Sequence, residues 1–218
     1  MINYIIDGHN IRDEWEIFVS ESSGIVDIPE LKERAVVDWA EYHGEVIDDR
    51  TPKYKAKKMT LKCLMACADP AALVAKSREI NELFARSGLH RLEVALSPTT
   101  SLFFDVILDG AISFSKKWRD ANFVAEFDIV LKEPEPMKKV LKFTSSDLNR
   151  TARINITTAK SVSINWGDGN VSPDLYGTDA EIVYNYQKNG EFVIIIHGDI
   201  DELTVNETNT ETIWNKLL

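Results

Sequence analysis

The run from Lys57 to Met65 most constrains what this chain can become. Met59, Leu61, Cys63 and Met65 fall on one side of an extended backbone, and Lys58, Thr60 and Lys62 fall on the other until Leu64 interrupts. That period of two is the signature of a strand with one face in a core. A chain that repeats it must build sheets, because a single such strand cannot bury its face alone. It recurs in Arg153-Ile154-Asn155-Ile156-Thr157 and in Ser161-Val162-Ser163-Ile164-Asn165-Trp166. Apolar runs bounded by turn residues add strands at Ile2–Ile6, closed by Asp7-Gly8, at Ile17–Val19, ending near Ser22-Ser23-Gly24, and at Arg34–Trp39. Others lie at Leu89–Leu96, Ser101–Leu108 and Asn122–Leu131, and at Glu181–Tyr186 turning through Lys188-Asn189-Gly190 into Glu191–Ile196. Asp109-Gly110 is the pair expected of a hairpin turn joining Phe103–Leu108 to Ala111–Phe114. A polar loop is expected from Ala40 to Pro52, broken by Gly44 and Asp48-Asp49.

One segment changes period. Asp69 is a good N-cap, and Pro70 sits at the first helical position, where its missing N–H costs nothing. Leu73, Ile80, Leu83 and Phe84 then share a stripe, and Gly88 supplies a stop, which predicts one long helix over Pro70–Ser87 packed on a sheet. Lys132-Glu133-Pro134-Glu135-Pro136 reads as a short extended linker. The expected architecture is mainly β. A sandwich or barrel-like module over Met1–Glu133 carries the helix, and an immunoglobulin-like β-sandwich follows over Pro134–Leu218.

The net charge is −10 and the acidic residues are spread along the chain, which argues for solubility and against unspecific binding to nucleic acid or an anionic membrane. The densest basic run, Lys53, Lys55, Lys57 and Lys58, is read as the solvated edge of a strand. No stretch approaches the roughly 18 consecutive apolar residues of a membrane span. Met1-Ile2-Asn3-Tyr4 does not open a secretion signal. On a strand, Cys63 and Cys67 would share a face about 13 Å apart, too far for a disulfide. Two free thiols fit synthesis in a reducing compartment.

The sharpest local pattern is Asn165-Trp166-Gly167-Asp168-Gly169, followed by Val183-Tyr184-Asn185-Tyr186, Asn189-Gly190 and Glu191-Phe192-Val193-Ile194. Trp166 at a strand end can fill the space between two sheet layers. Gly167 and Gly169 allow positive φ, and Asp168 can bond backbone amides and close the turn. Over roughly Val140–Val205 this resembles the PKD-type immunoglobulin-like domain, with Asn185 where that family often has His and Asn189 where it often has Pro. The resemblance implies that Trp166, Gly167, Asp168 and Gly169 form a structural turn, and that the module serves interaction rather than catalysis. A calcium site built from Asp168, Asp174 and Asp179 lacks the EF-hand spacing, and turn chemistry is the preferred reading.

The first part carries Ile6-Asp7-Gly8-His9-Asn10-Ile11, then Trp15-Glu16-Ile17-Phe18-Val19, Gly24-Ile25 and Pro29. Val36-Val37-Asp38-Trp39, the Met59–Met65 strand, a single helix and Phe127-Asp128-Ile129-Val130-Leu131 follow. Over Met1–Leu131 this order resembles the distal tail proteins of long-tailed bacteriophages and related prophage tail components. The resemblance implies a ring at the tail tip linking tail tube to baseplate, with self-association and neighbouring tail proteins as partners. It also implies synthesis in the bacterial cytoplasm and residence in the virion tail. The alternative is a cell-surface adhesion or carbohydrate-binding protein using the second module, with a glycan as the further candidate partner.

Nothing points to an enzyme. His9, His43, His90 and His197 are scattered and read as surface or structural residues. Asp7 and Asp13 near His9 read as turn chemistry, and Asp199 and Asp201 as a solvated loop. No Gly-x-Ser-x-Gly, phosphate-binding loop or His-Glu-x-x-His occurs. No catalytic residue, cofactor or metal ligand is expected.

Overall fold

A computed structural model describes residues 2–41, 43–48, 50–119 and 122–216. Asp49, read above as a loop breaker, and the opening Met1 lie outside the described residues.

The chain is mainly β and forms two antiparallel sheets. The first uses β1 (Asn3–Ile6), β2 (His9–Asn10), β3 (Ile17–Ser23), β6 (Lys57–Cys67), β7 (His90–Ser97), β8 (Thr100–Leu108), β9 (Ser115–Arg119) and β10 (Asn122–Glu133). Its order is β2-β1-β7-β8-β10-β6-β3, with β9 also on β10. The second uses β11 (Lys138–Ser145), β12 (Thr151–Asn165), β13 (Val171–Asn185), β14 (Gly190–Gly198), β15 (Thr204–Thr208) and β16 (Glu211–Lys216). Its order is β13-β12-β14-β11-β16, with β15 on β12. Between β3 and β6, β4 (Val36–Asp38) and β5 (Glu45–Ile47) pair only with each other.

The alternation in β6 does what its period demands. Every second residue from Lys57 to Cys67 is buried, and Met59, Leu61, Cys63 and Met65 join Ile129, Leu131, Phe104 and Leu92 in the first core. The long helix, α2 (Pro70–Phe84), buries Leu73, Ile80 and Leu83, and Asp69 Oδ1 accepts from Ala72 N at 2.7 Å. It stops three residues earlier than the periodicity predicts. Arg86 N donates to Leu83 O, a three-residue step that tightens the last turn and ends the α pattern. A second, single-turn helix, α1 (Ile11–Trp15), was not anticipated. Asn10 caps it by accepting from Arg12 N, Ile11 and Trp15 are buried one turn apart, and Glu16 closes it at φ 55°.

Three expectations are corrected. The Asp109-Gly110 hairpin is absent: Leu108 pairs with Leu131, so β10 occupies the edge that residues 111–114 would need. Ile112 and Phe114 pack into the first core instead, Phe114 lying 4.6 Å from the Phe127 ring. The basic run does not lie on a sheet edge, since β6 sits between β10 and β3; Lys57 is buried, while Lys53, Lys55 and Lys58 are solvated as expected. Lys132 and Glu133 are not linker but the end of β10, opposite Lys58 and Lys57.

In the second sheet the two expected strands at 153–157 and 161–166 are one bulged strand, β12, whose register shifts between Ile156 and Ile164. The bulges turn it so that its first half pairs with β15 and its second half with β14. Ala152, Ile154, Ile156, Val162 and Ile164 thereby face one core with Leu141, Phe143, Ile194 and Ile196. The Lys188-Asn189-Gly190 turn links β13 to β14, but β12 lies between them.

Candidate functional site

The Trp166–Asn170 turn is held from all sides. Trp166 is 1% exposed and stacks on Tyr184 at 4.4 Å, and its Nε1 donates to Ser172 Oγ at 2.9 Å. Tyr186 donates its hydroxyl to Trp166 O at 2.8 Å. Asp168 accepts from Asn170 N at 3.1 Å and from the Tyr184 hydroxyl at 2.6 Å. Burial, then the bond to Asp168, push the Tyr184 phenol up to about 12, so it stays a neutral donor. Gly167 has φ +81°, and a Cβ there would lie 2.4 Å from Val193 O. Gly167→Ala should therefore force β14 away from the turn and lower Tm by several degrees. Gly169→Ala, with open space around it, should cost only the roughly 1 kcal/mol of its positive φ. Thermal melts of the two variants side by side check this.

The other aspartates proposed for calcium serve separate partners: Asp174 accepts from Ser161 Oγ, and Asp179 accepts from Asn206 Nδ2. Among the described residues no group of three or more His, Cys, Asp or Glu is placed to hold a metal ion.

The histidines are dispersed. His9 pairs with Glu14, not with Asp7 or Asp13, and His197 pairs with Glu135. His90 is buried and meets Asp7 at 2.7 Å, while Arg91 N donates to the other Asp7 oxygen. Burial opposes ionisation of Asp7, but the His90 and Arg91 hydrogen bonds and the charges of His90 and Arg86 outweigh it and hold the carboxyl below its ordinary range. A depressed carboxylate stabilises the fold above its unfolded value of 3.8, and that contribution disappears as pH falls through the folded value. Asp7→Asn should thus lower Tm at pH 6 and leave it unchanged near pH 2, as melts across that range would show. Burial pushes the Cys63 thiol up to about 12 and raises Cys67, so neither is a thiolate nucleophile at neutral pH.

The groups that sequence reading missed lie where the two sheets meet. Asp105 on β8 receives Arg91 Nε at 2.5 Å and, across the junction, Asn165 Nδ2 at 2.9 Å. Arg91 Nη1 reaches Val193 O on β14 at 2.7 Å. Glu133 and Lys138, each 2% exposed, form an ion pair that spans the passage from β10 to β11. Lys138 Nζ lies 4.2 Å from the Phe104 centroid and 5.7 Å from that of Trp214, and Trp214 stacks on Phe103. Burial raises Glu133 and lowers Lys138, while each opposes the other's shift. These charges are paired with one another or with polar groups, so the junction ties the two sheets together. One signal existed: Lys57 opens β6 on the parity of its buried residues, whereas in β11 the parity switches between Val140 and Leu141 and hides Lys138. Asp199 and Asp201 lie in the turn after β14, partly exposed and paired. Lys53, beside β6, reaches Asp201 at 2.5 Å and Asp199 at 3.4 Å.

The β4–β5 hairpin pairs with no other described strand. Its stalk continues down through Leu31 opposite Tyr54 and through Lys55 N to Glu30 O. Val36 faces Ile47, Val37 faces Val46, and Trp39 follows directly; all five are 44–61% exposed.

No family model matches the chain, and no curated protein matches it. Among solved structures, several chains are similar to it. The crystal structure of the Dit protein of SPP1 is described as a paradigm of the hub adsorption apparatus in phages infecting Gram-positive bacteria. It aligns over 98% of this chain and 100% of its own at 12% identity, with a TM-score of 0.47. Among the described residues no helix is long and apolar enough to cross a membrane.

Proposed function

We propose that the chain is a structural component of a phage or prophage tail tip, a ring-forming adaptor between tail tube and baseplate. In this reading Met1–Glu133 is the ring-building module and Pro134–Leu218 an appended interaction module. The residues that resemble distal tail proteins support it, as does the order of strands, one long helix and strands. The observation that carries it is the hairpin arm. An isolated two-stranded hairpin is marginally stable in water, and this one displays three valines, an isoleucine and a tryptophan that no other element covers. Such a surface calls for a macromolecular partner. A ring needs a heterologous contact, in which an arm on one copy grips a different face of the next.

Mass photometry and light scattering test this. The full chain should form a closed oligomer. The double variant Val37→Lys/Val46→Glu, whose opposite charges face each other and keep the hairpin paired, should weaken assembly about thirtyfold or more while keeping the monomer's Tm, because both side chains are exposed. A strict monomer at high concentration, with neighbouring tail proteins present, would sink the reading. So would a double variant that assembles like the parent.

A further inference from the structure

The chain holds a single Asn-Gly pair, Asn189-Gly190. It lies in the connection from β13 to β14, where residues 187–190 are all exposed. We propose that Asn189 is a site of spontaneous covalent modification, at which water converts the side-chain amide to aspartate and isoaspartate through a cyclic imide.

The atoms balance with water as the co-reactant. Hydroxide removes the proton of the Gly190 amide, and the nitrogen attacks Asn189 Cγ. A C–N bond forms, the Cγ–Nδ2 bond breaks and ammonia leaves, closing a five-membered imide. Water then adds to either imide carbonyl and opens the ring. Opening on one side gives aspartate. Opening on the other carries the main chain through Cβ and Cγ, as isoaspartate. One water is consumed, one ammonia is released and no electrons are transferred. The product carries a carboxyl group that is ionised at neutral pH.

The surroundings separate this position from its rivals. The other asparagines precede residues with side chains, as Asn10, Asn155 and Asn170 precede Ile11, Ile156 and Val171, and those side chains crowd the attacking nitrogen. Gly190 has none, and the space where a Cβ would lie is open as far as the Phe192 ring at 3.9 Å. Three Asp-Gly pairs could follow the same route, but donors hold each carboxylate. Asp7 is bound by His90 and Arg91 N, Asp109 by Lys58, and Asp168 by Asn170 N and the Tyr184 hydroxyl. A charged carboxylate repels the deprotonated amide, whereas the Asn189 amide is neutral. Its connection is also not a tight hairpin, because β12 lies between the strands that it joins.

The amide that is lost carries a bond. Asn189 Nδ2 donates to Asp147 Oδ1 at 2.9 Å and ties this connection to the turn between β11 and β12. Arg150 donates to the same oxygen at 2.7 Å and to Gln187 O at 3.4 Å. Asn189 and Arg150 together hold the Asp147 carboxyl below its ordinary range. A carboxylate at position 189 removes one donor and sets a like charge beside Asp147, with Arg150 left to serve both. Tyr186, which stacks on Phe143 and Phe192, bonds Arg150 O through its N–H at 2.9 Å, so the change falls at the edge of the second core.

The test is to age the full chain at mildly alkaline and at mildly acidic pH in heavy-oxygen water. Peptide mapping by mass spectrometry, with fragmentation that distinguishes isoaspartate, reads the result. Asn189 should convert ahead of every other asparagine, faster at the alkaline pH, to both products and with the label in the new carboxyl. Asn189→Gln keeps an amide but would have to close a six-membered ring, and should resist conversion. The aged chain and Asn189→Asp should melt about 2–4 °C below the fresh parent, the shift expected for one lost hydrogen bond in a chain of this size. Prior conversion of another asparagine overturns the inference, as does aspartate formed without isoaspartate. An aged, converted sample that melts with the fresh parent overturns the part given to the Asn189–Asp147 bond.

Discussion

Lys138→Met should lower the unfolding free energy by about 3–5 kcal/mol, because it leaves the buried Glu133 carboxylate without its cation. Methionine is an unbranched side chain of similar length and fills the space beside Phe104 and Trp214, so the loss reports the missing ammonium charge more than volume. The double variant Glu133→Leu/Lys138→Met should recover most of it, since a well-packed apolar pair replaces a buried ion pair at little cost. The single variant carries a pH signature. Glu133 is already raised by burial, and removing its cation raises it further above the ordinary 4.5. A carboxyl with a raised folded value binds its proton in the fold first, so unfolding free energy increases as pH falls from that value toward 4.5. The penalty of Lys138→Met should therefore shrink as pH is lowered from 8 to 5. Urea titration followed by tryptophan emission reads both effects, with Trp214 over the altered site. A cost below about 1 kcal/mol, typical of an exposed pair, would show that the junction admits water.

Trp166→Ala should cost a similar amount, about 3–5 kcal/mol for a fully buried Trp. It opens a cavity in a column of rings in which Trp166 stacks on Tyr184, Tyr184 meets Tyr186 edge-on, and Tyr186 stacks on Phe192 and Phe143. Trp166→Phe should retain much of that packing and lose chiefly the bond to Ser172. If Met1–Glu133 and Pro134–Leu218 are separate modules, calorimetry of Trp166→Ala should show the second melting before the first as two transitions. One cooperative transition at the parent's Tm would rule out both the packing role of Trp166 and the division.

The strands were legible wherever an alternating face meets one core. Met59–Met65 and Ile154–Ile156 needed no partner to be recognised, because period two leaves only one way to bury half the side chains. The α2 start was legible too, since Asp69-Pro70 is a local device whose hydrogen bond closes within three residues. The Asp109-Gly110 hairpin failed for the opposite reason. A turn pair states that the chain can reverse there, and pairing then depends on whether the edge of β8 is free. It is taken by β10, which follows later in the chain. The α1 turn was hidden because five residues carry barely one helical period.

The candidate sites divide in the same way. Trp166, Gly167, Asp168 and Gly169 stand together in sequence and act within one turn, so their pattern could be read directly. Arg91, Asp105, Asn165, Glu133 and Lys138 come from five strands. By itself the sequence determined that this chain must form strands, where its long helix begins, and which faces are apolar. Only the tertiary structure decided strand order, which charges are buried against one another, and that β4 and β5 pair only with each other. The physical reason is range: periodicity and capping are set by neighbours a few residues away, whereas desolvation and pairing depend on groups that meet only once the sheets have closed.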